Sequence, residues 1–291
     1  MPFFSIITVC YNEVTHIQET LDSIVSQTFH NYELIVVDGG STDGTKEIIE
    51  RYSSQITWWC SEADKGTYNA MNKGVSHTKG QYVIFMNGGD KFHDGNVLEN
   101  LVKANCTADI IEGYAIAKDT KELIHQHDDD LTHKLLVDGI CHQSTLIRRE
   151  LLAENPYDEK YKIVADWKFW ILMLLRDRCT YQFLDMTIAV IDTTGITYSQ
   201  FQQNLEERDN VLAELQSDTT IGYMAKVLRD YNYLTHNTLV QHAVYLDRHS
   251  KKGYDLVRKI AKRVVKVIKI IKSEKKPTYD YLIVGARRSQ L

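Results

Sequence analysis

Three aspartates follow predicted strands in the N-terminal part of the chain. Asp38 ends one apolar run, Asp64 follows a second, and Asp90 closes the segment Asn87-Gly-Gly-Asp90 behind a third. In an open parallel sheet the carboxyl ends of the strands share one edge, so carboxylates that follow successive strands converge on one crevice. Carboxylates gathered there can bind a nucleoside and a divalent cation together. The spacing therefore predicts sugar-nucleotide chemistry.

The segments that position these aspartates alternate between strand and helix. Predicted strands cover Phe3–Cys10, Tyr32–Val37, Ile56–Cys60 and Tyr82–Met86, with helical spacing of apolar residues between them. This alternation implies right-handed crossovers and a parallel sheet covered by helices, which is an α/β fold. From about 105 to 195, short predicted strands mix with a helix near Asp166–Leu175. Residues Tyr198 to about Leu246 have a helical pattern.

Several motif blocks, in order along about residues 3 to 200, resemble glycosyltransferase family 2. They are Ser5-Ile-Ile-Thr-Val-Cys-Tyr-Asn-Glu13, Val36-Val-Asp38-Gly-Gly-Ser-Thr-Asp-Gly44, Glu62-Ala-Asp64-Lys-Gly-Thr-Tyr-Asn-Ala-Met-Asn-Lys-Gly74, Asn87-Gly-Gly-Asp90, His142-Gln143 and Ala165-Asp166-Trp167. The resemblance implies a GT-A type, Rossmann-like sheet with an α+β acceptor region, here followed by a C-terminal helical extension. It also implies a nucleotide-sugar donor, Mn²⁺ or Mg²⁺, and inversion at the anomeric carbon.

Four residues are expected at the donor nucleotide. A nucleoside needs a carboxylate acceptor for its ring N–H or its ribose hydroxyls, and the resemblance gives these roles to Asp38 and Asp64. Tyr11 and Glu13, on the loop after the first strand, are expected beside the same base. An isolated Asp before two glycines is more often a turn or helix-cap residue. Asp64 and Asp90 also follow strands, as Asp38 does, and this shared position favours nucleotide binding for Asp38.

Asp90 takes the last position of the family's DxD motif, but this chain reads Asn87-Gly-Gly-Asp90. Mg²⁺ commonly uses one or two carboxylates plus substrate phosphates, so a single aspartate can suffice. Asn87 could donate to a sugar hydroxyl or coordinate weakly through its amide oxygen. We therefore predict Asp90 as the ligand of Mn²⁺ or Mg²⁺, with reduced affinity. The same segment is also ordinary turn sequence.

An inverting transferase needs a base that takes the proton of the acceptor hydroxyl as its oxygen attacks. Through the resemblance, Asp166 is the candidate, although the family's frequent Glu-Asp pair is Ala165-Asp166 here. The alternative is a helix N-cap, and both roles can hold together. Desolvation raises a carboxylate pKa and a helix dipole lowers it, so the sequence gives no net direction.

His142 and Gln143 line the acceptor side in related sequences. Together with Asn87, they are expected to contact the acceptor or the transferred sugar. A single histidine is more often a core residue with satisfied hydrogen bonds, so the two interpretations of His142 are evenly balanced. The Gln/Arg-rich motif of processive members is missing, which favours transfer of one sugar per encounter.

Charge is unevenly distributed over the 291 residues, whose net charge is −5. Residues 251–276 contain eleven Lys or Arg against two acidic residues, and an apolar stripe runs through them from Leu256 to Ile271. This pattern is typical of a helix lying on an anionic membrane surface. The alternative is a helix packed on the body or on a partner. The acidic remainder argues against nucleic acid as a partner.

Several sequence features predict a cytoplasmic protein, bound peripherally to the inner face of the cell membrane. The start Met1-Pro-Phe-Phe lacks a basic signal-peptide region, and there is no apolar stretch of about 18 residues. The five cysteines are scattered and lack a CxxC spacing, which argues against disulfides and a zinc site.

The last residues carry a second, short resemblance. Tyr279-Asp-Tyr-Leu-Ile-Val-Gly-Ala286 resembles the opening strand of UDP-galactopyranose mutases, whose Gly-rich turn does not follow here. This suggests the transferase part of a truncated fusion and a galactose-derived donor.

We predict a glycosyltransferase domain over 1–200, a helical region over 201–250, a basic amphipathic helix over 251–276 and a tail over 277–291. The predicted function is transfer of a single sugar, from a UDP-linked donor to a saccharide or lipid-linked acceptor, in surface polysaccharide synthesis. A sugar-nucleotide nucleotidyltransferase and a non-catalytic, membrane-associated binding subunit are the alternatives.

Overall fold

The computed structural model of the chain describes residues 1–124, 131–137, 139–193, 200–223, 225–226 and 229. Met1–Arg229 form one compact unit. The predicted basic helix over 251–276 and the mutase-like tail over 277–291 lie outside the described residues. The predicted boundaries between regions stay predictions.

One mixed sheet organises the unit. Its strands are β1 (Phe4–Cys10), β2 (Tyr32–Asp38), β3 (Trp58–Ser61), β4 (Tyr82–Phe85), β5 (Lys91–Phe92), β6 (Ile110–Ala117), β7 (Thr145–Arg148) and β8 (Tyr181–Ile191), in the spatial order β3-β2-β1-β4-β7-β6-β8-β5. The first four strands are parallel, as predicted. β7 runs antiparallel to β4 and β6, and β5 runs antiparallel to β8. The predicted α/β fold is confirmed.

Helices cover both faces of the sheet. They are α1 (Ile17–Val25), α2 (Thr45–Arg51), α3 (Thr67–Ser76), α4 (Val97–Lys103), α5 (Leu131–Val137), α6 (Arg149–Glu154), α7 (Ala165–Trp170) and α8 (Phe201–Leu215). A 3₁₀ turn spans His142–Ser144, and α7 continues as a π-helical turn over Ile171–Arg176. No helix in the described part of the chain is long and apolar enough to cross a membrane.

The core has two layers because successive residues of a strand point to opposite faces of the sheet. Ile7 of β1 packs in the layer formed with α3, α7 and α8, whereas Ile6 packs in the layer formed with α1, α2 and α4. Every residue of β1 is buried. A strand covered on both faces needs apolar residues throughout, which explains why the sequence of β1 shows so little alternation.

Some elements differ from their predicted positions. β3 begins at Trp58 rather than at Ile56, and helix α7 begins at Ala165 with Val164 at its N-cap position. Asp166 therefore lies in the first turn of the helix and is not the N-cap residue. One of the short strands expected between 105 and 195, at Leu123–Gln126, is only an isolated bridge from Leu123 to Ile116 within the described residues. The structure also adds β5, α4 and α6, which are short.

Candidate active site

The strand register brings the predicted nucleotide residues to one edge of the sheet. Cys10 is aligned with Asp38 across β1 and β2, and Asp38 is aligned with Ser61 across β2 and β3. Tyr11 follows directly after β1, and Asp64 lies three residues after the end of β3. The ends of three parallel strands therefore converge as the sequence predicts.

The loops after β1 and β2 form one hydrogen-bonded unit. Asn12, with a positive φ of 53°, donates its backbone N–H to Ser41 Oγ at 2.7 Å and accepts from Thr42 N at 3.0 Å through its side chain. Glu13 N donates to Thr45 Oγ1 at 2.8 Å. These bonds fix the backbone that carries Tyr11 and Glu13.

Asp38 is fully buried, and its carboxylate accepts hydrogen bonds from neighbouring residues. Ser61 Oγ donates to it at 2.5 Å, Ser41 N donates at 3.1 Å, and the Ser41 hydroxyl also donates. The carboxylate thereby shapes the turn between β2 and α2, which agrees with the turn interpretation of its sequence context. Its contact with a nucleoside stays a prediction.

Asp64 and Tyr11 enclose Gly39. A Cβ atom at Gly39 would lie 2.7 Å from Asp64 Oδ2 and 3.4 Å from Tyr11 Cδ2, so a larger residue there would displace the Asp64 carboxylate. Gly66 N donates to Asp64 Oδ1 at 2.8 Å. The Tyr11 side chain is 63% exposed, and an exposed aromatic face can stack on a planar base. These groups can receive a nucleoside.

The segment from Asn87 to Asp90 is a tight turn. Asp90 N donates to Asn87 O at 3.0 Å, and Gly89 adopts a φ of 99° that favours glycine. A Cβ atom at Gly88 would lie 3.0 Å from Glu13 Cγ, so the turn packs beside the predicted nucleotide loop. Burial raises the pKa of Glu13, although a hydrogen bond with His16 opposes this effect.

Asp90 is only 4% exposed and has two hydrogen-bond donors. Asp192 N donates to Oδ1 at 3.0 Å, and Gln143 Nε2 donates to Oδ2 at 2.9 Å. Burial raises the pKa of Asp90 to about 6, against the lowering effect of these two bonds. Ionising the buried carboxylate therefore costs free energy because the charge is removed from water. A nearby cation would offset this cost.

The residues at this turn fit a divalent metal that is also held by substrate phosphates. Each Asp90 oxygen accepts one hydrogen bond and keeps further acceptor capacity. A Cβ atom at Gly89 would lie 3.6 Å from Asp192 Oδ2, so a second carboxylate borders the turn. Asn87 Oδ1 is buried without a hydrogen-bond partner. Within the described ranges, no three or more His, Cys, Asp or Glu side chains form a complete protein cage for a metal.

A line of hydrogen bonds joins the turn to Asp166. Asn87 Nδ2 lies 3.0 Å from His142 Nε2, and His142 Nδ1 lies 2.9 Å from Asp166 Oδ2. An ionised carboxylate only accepts, so Nδ1 carries the hydrogen, and in the neutral imidazole Nε2 accepts from the Asn87 amide.

Two further donors approach the other oxygen of Asp166. Trp167 N lies 2.8 Å and the Tyr68 hydroxyl 2.7 Å from Oδ1, and the same hydroxyl lies 2.7 Å from Ile163 O. Burial acts to raise the pKa of Asp166, but the contact with His142 and the hydrogen bond from the Tyr68 hydroxyl outweigh it. The pKa therefore lies below its usual range.

The 3₁₀ turn connects the two halves of the site, because neighbouring side chains on it reach different partners. Gln143 contacts Asp90, whereas His142 contacts Asn87 and Asp166. The predicted metal ligand, sugar or acceptor residues and base are thus brought together. Their assigned roles stay predictions.

Sequence reasoning did not single out Tyr68 or Asp192. Tyr68 lies in the motif block that begins at Glu62, and its place in the first turn of α3 directs it to α7. Asp192 follows β8, so it has the same strand-end signal as the other aspartates. The short strands and helix mixed in the surrounding sequence made this strand end harder to recognise.

The family model described as "Glycosyl transferase family 2" matches residues 5–154, which is more than half of the chain. The chain belongs to glycosyl transferase family 2. This confirms the resemblance drawn from the motif blocks, and the protein is a glycosyltransferase.

Curated relatives agree with the family. A PGL/p-HBAD biosynthesis glycosyltransferase of Mycobacterium bovis is 29% identical over 201 residues, which cover 67% of this chain and 78% of the relative. An uncharacterised glycosyltransferase of Rickettsia prowazekii is 26% identical over 276 residues, covering 87% of this chain and 81% of the relative.

Solved structures show the same fold at low identity. S. aureus TarS in complex with UDP-GlcNAc superposes with a TM-score of 0.65 and 18% identity over 81% of this chain and 72% of that chain. A mannosyltransferase of Pyrobaculum calidifontis in complex with GDP-Man and Mn²⁺ gives a TM-score of 0.61 and 18% identity, over 93% and 81%. These matches confirm the GT-A type of sheet.

Proposed function

We propose that this family 2 enzyme transfers a single sugar, with inversion, from a UDP-linked donor to a saccharide or lipid-linked acceptor in surface polysaccharide synthesis. The observation that carries the proposal is the hydrogen-bonded line from Asn87 through His142 to Asp166, beside the buried Asp90. It places a carboxylate suited to a base close to a carboxylate suited to a metal. Relatives support the proposal, since one is named a PGL/p-HBAD biosynthesis glycosyltransferase and a structural neighbour was solved in complex with UDP-GlcNAc.

The donor would bind at the ends of β1, β2 and β3. The uracil would stack on the exposed ring of Tyr11, and Asp64 would accept a hydrogen bond from the base or the ribose. Glu13 would lie beside the same base. Asp38 is fully buried and holds the loop through its hydrogen bonds with Ser41 and Ser61, so we assign it mainly to that role.

Asp90 would hold Mn²⁺ or Mg²⁺, with Asp192 as the second carboxylate at the turn. A bound divalent cation would neutralise the negative charge that develops on the leaving diphosphate. The structural neighbour that contains GDP-Man and Mn²⁺ supports this choice of metal. Gln143 donates to Asp90 and would keep the carboxylate in place.

Asp166 would act as the base. As the acceptor oxygen forms its bond to the anomeric carbon, its proton passes to the Asp166 carboxylate. The bond from the anomeric carbon to the diphosphate oxygen breaks, and the nucleoside diphosphate leaves with that electron pair. Family membership favours this reaction over the nucleotidyltransferase and the non-catalytic subunit, which we do not retain.

We further propose that the basic segment 251–276 binds an anionic membrane surface. Its eleven Lys or Arg residues carry this proposal, and a lipid-linked acceptor would explain why the enzyme works there.

Sugar transfer by Asp166→Asn tests the proposed base. With UDP-sugars and Mn²⁺, we expect kcat to fall by about 100- to 10,000-fold, because the amide cannot accept the proton. UDP affinity should stay unchanged. The matched control is Asp185→Asn, since Asp185 is exposed on β8. Full transfer by Asp166→Asn would eliminate this residue as the base.

A further inference from the structure

We propose that His142 is a positioning residue for the transfer step, holding the Asp166 carboxylate so that Oδ2 faces the acceptor hydroxyl. This inference rests on the proposed function, in which Asp166 is the base. It differs from the sequence-based expectation, which gave His142 a direct contact with sugar or acceptor.

The donors around Asp166 identify the oxygen that can react. A carboxylate offers about four lone-pair positions, two on each oxygen. Oδ1 is approached by two donors, Trp167 N at 2.8 Å and the Tyr68 hydroxyl at 2.7 Å. Oδ2 is approached by one, His142 Nδ1 at 2.9 Å. The acceptor hydroxyl would therefore donate to the second position on Oδ2.

The imidazole of His142 is itself held firmly. Asn87 Nδ2 contacts its far nitrogen at 3.0 Å, and the Phe85 ring meets it edge-on with centroids 6.3 Å apart. Its backbone belongs to a turn in which Thr145 Oγ1 donates to Cys141 O at 2.7 Å. A ring fixed at both nitrogens can define the orientation of the carboxylate that it contacts.

The same contacts argue against a direct role in sugar binding. In the neutral tautomer, Nδ1 donates to Asp166 and Nε2 accepts from Asn87, so both nitrogens already have partners. A sugar hydroxyl could bind the ring only by displacing one of them. Action through Asp166 is thus the role that the contacts favour.

Three substitutions distinguish the role of the Nδ1 donor from that of the ring as a whole. An asparagine at this position can place its amide N–H near the site of Nδ1, whereas the longer glutamine amide reaches toward the site of Nε2. We expect His142→Ala and His142→Gln to lower kcat by about 100-fold, because the carboxylate is misplaced. His142→Asn should recover at least about tenfold of this loss. Donor KM and UDP Kd should stay within about twofold of wild type.

The control is His30→Ala, because His30 is exposed and lies on the loop before β2, at the strand ends opposite the site. Thermal melting of every variant shows whether it folds. Equal activity losses in His142→Ala and His142→Asn would overturn the proposal. An increase in donor KM at unchanged kcat would also overturn it and favour sugar contact. Asp166→Asn is assayed in parallel: if it is inactive while His142→Ala keeps wild-type kcat, only the positioning role fails, whereas an active Asp166→Asn removes the proposed base itself.

Discussion

The fold buries the Asp90 carboxylate even when no cation is bound to it. Its pKa of about 6 lies above the ordinary value of 3.8. Between these values the folded protein keeps a proton that the unfolded chain has lost, so stability falls as pH rises through this window. Above pH 6 the folded protein bears the full desolvation cost of the ionised Asp90 carboxylate. Without a metal, the ionised Asp90 carboxylate therefore lowers the stability of the fold. A bound cation would offset this cost.

We therefore expect Asp90→Asn to raise the Tm of the metal-free protein by several degrees at pH 8, where the native carboxylate is charged. At pH 4 the gain should be much smaller, because the native carboxyl is then protonated in the folded state. Melting curves at the two pH values measure the difference. Equal Tm shifts at both would contradict a burial-raised pKa.

The same variant should lose its response to metal. Mn²⁺ should raise the Tm of the wild type at pH 8 and should do so less below pH 6, since a proton then competes for Asp90. Asp90→Asn should show little response at either pH. Asp185→Asn again serves as the control.

At the scale of elements, α8 fastens the segment that leads into α7. Glu207 is buried on α8 and accepts from Lys162 N at 3.0 Å and from Ile163 N at 2.9 Å. Ile163 O in turn lies 2.7 Å from the Tyr68 hydroxyl. The position of Asp166 therefore depends on a helix that supplies no residue to the site.

Removing this carboxylate should affect both stability and rate. Glu207→Ala removes the acceptor of the partly buried Lys162 N–H and of the buried Ile163 N–H, and the unsatisfied buried group alone costs about 1–3 kcal/mol. We expect a clear loss of Tm and a larger fall in kcat than in UDP affinity. The neighbouring Glu206 is exposed, so Glu206→Ala should change neither quantity measurably. A normal kcat in a folded Glu207→Ala variant would show that α8 does not determine the position of Asp166.

The long elements could be predicted from the sequence, whereas several contacts that complete the site could not. β1 is an apolar run because both its faces are buried. Asp38 ends β2 beside the end of β1 because the two strands are parallel. The short β5 forms only by pairing with β8. The contact of His142 with Asn87 spans 55 residues and that with Asp166 spans 24. No local pattern encodes such separations.

At the scale of the whole molecule, an acidic body and a basic segment are joined in one chain. Residues 251–276 hold eleven Lys or Arg against two acidic residues, although the whole chain has a net charge of −5. Each basic residue near an anionic bilayer contributes about 1 kcal/mol. Membrane attachment should thus depend on this segment and weaken with salt.

Charge reversal at two positions tests this dependence. Lys262→Glu combined with Lys266→Glu should lower binding to phosphatidylserine vesicles by at least about tenfold, because two attractions become repulsions. Co-sedimentation at low and high salt measures the change. Lys46→Glu with Lys103→Glu alters the net charge equally, on exposed helix positions of the body, and should bind as the wild type. Equal losses in both pairs would show that only net charge matters.

The hydroxyl of Tyr68 has a single hydrogen and two acceptors at 2.7 Å, Asp166 Oδ1 and Ile163 O. It can point this hydrogen at the ionised carboxylate and turn it to the Ile163 carbonyl once Oδ2 has taken the acceptor's proton, because the neutral acid attracts the hydrogen less strongly. The charge of the base could then change while every heavy atom keeps its place. After Asp166 loses this proton, rotation of one O–H bond would restore the contact with the carboxylate before the next sugar is transferred.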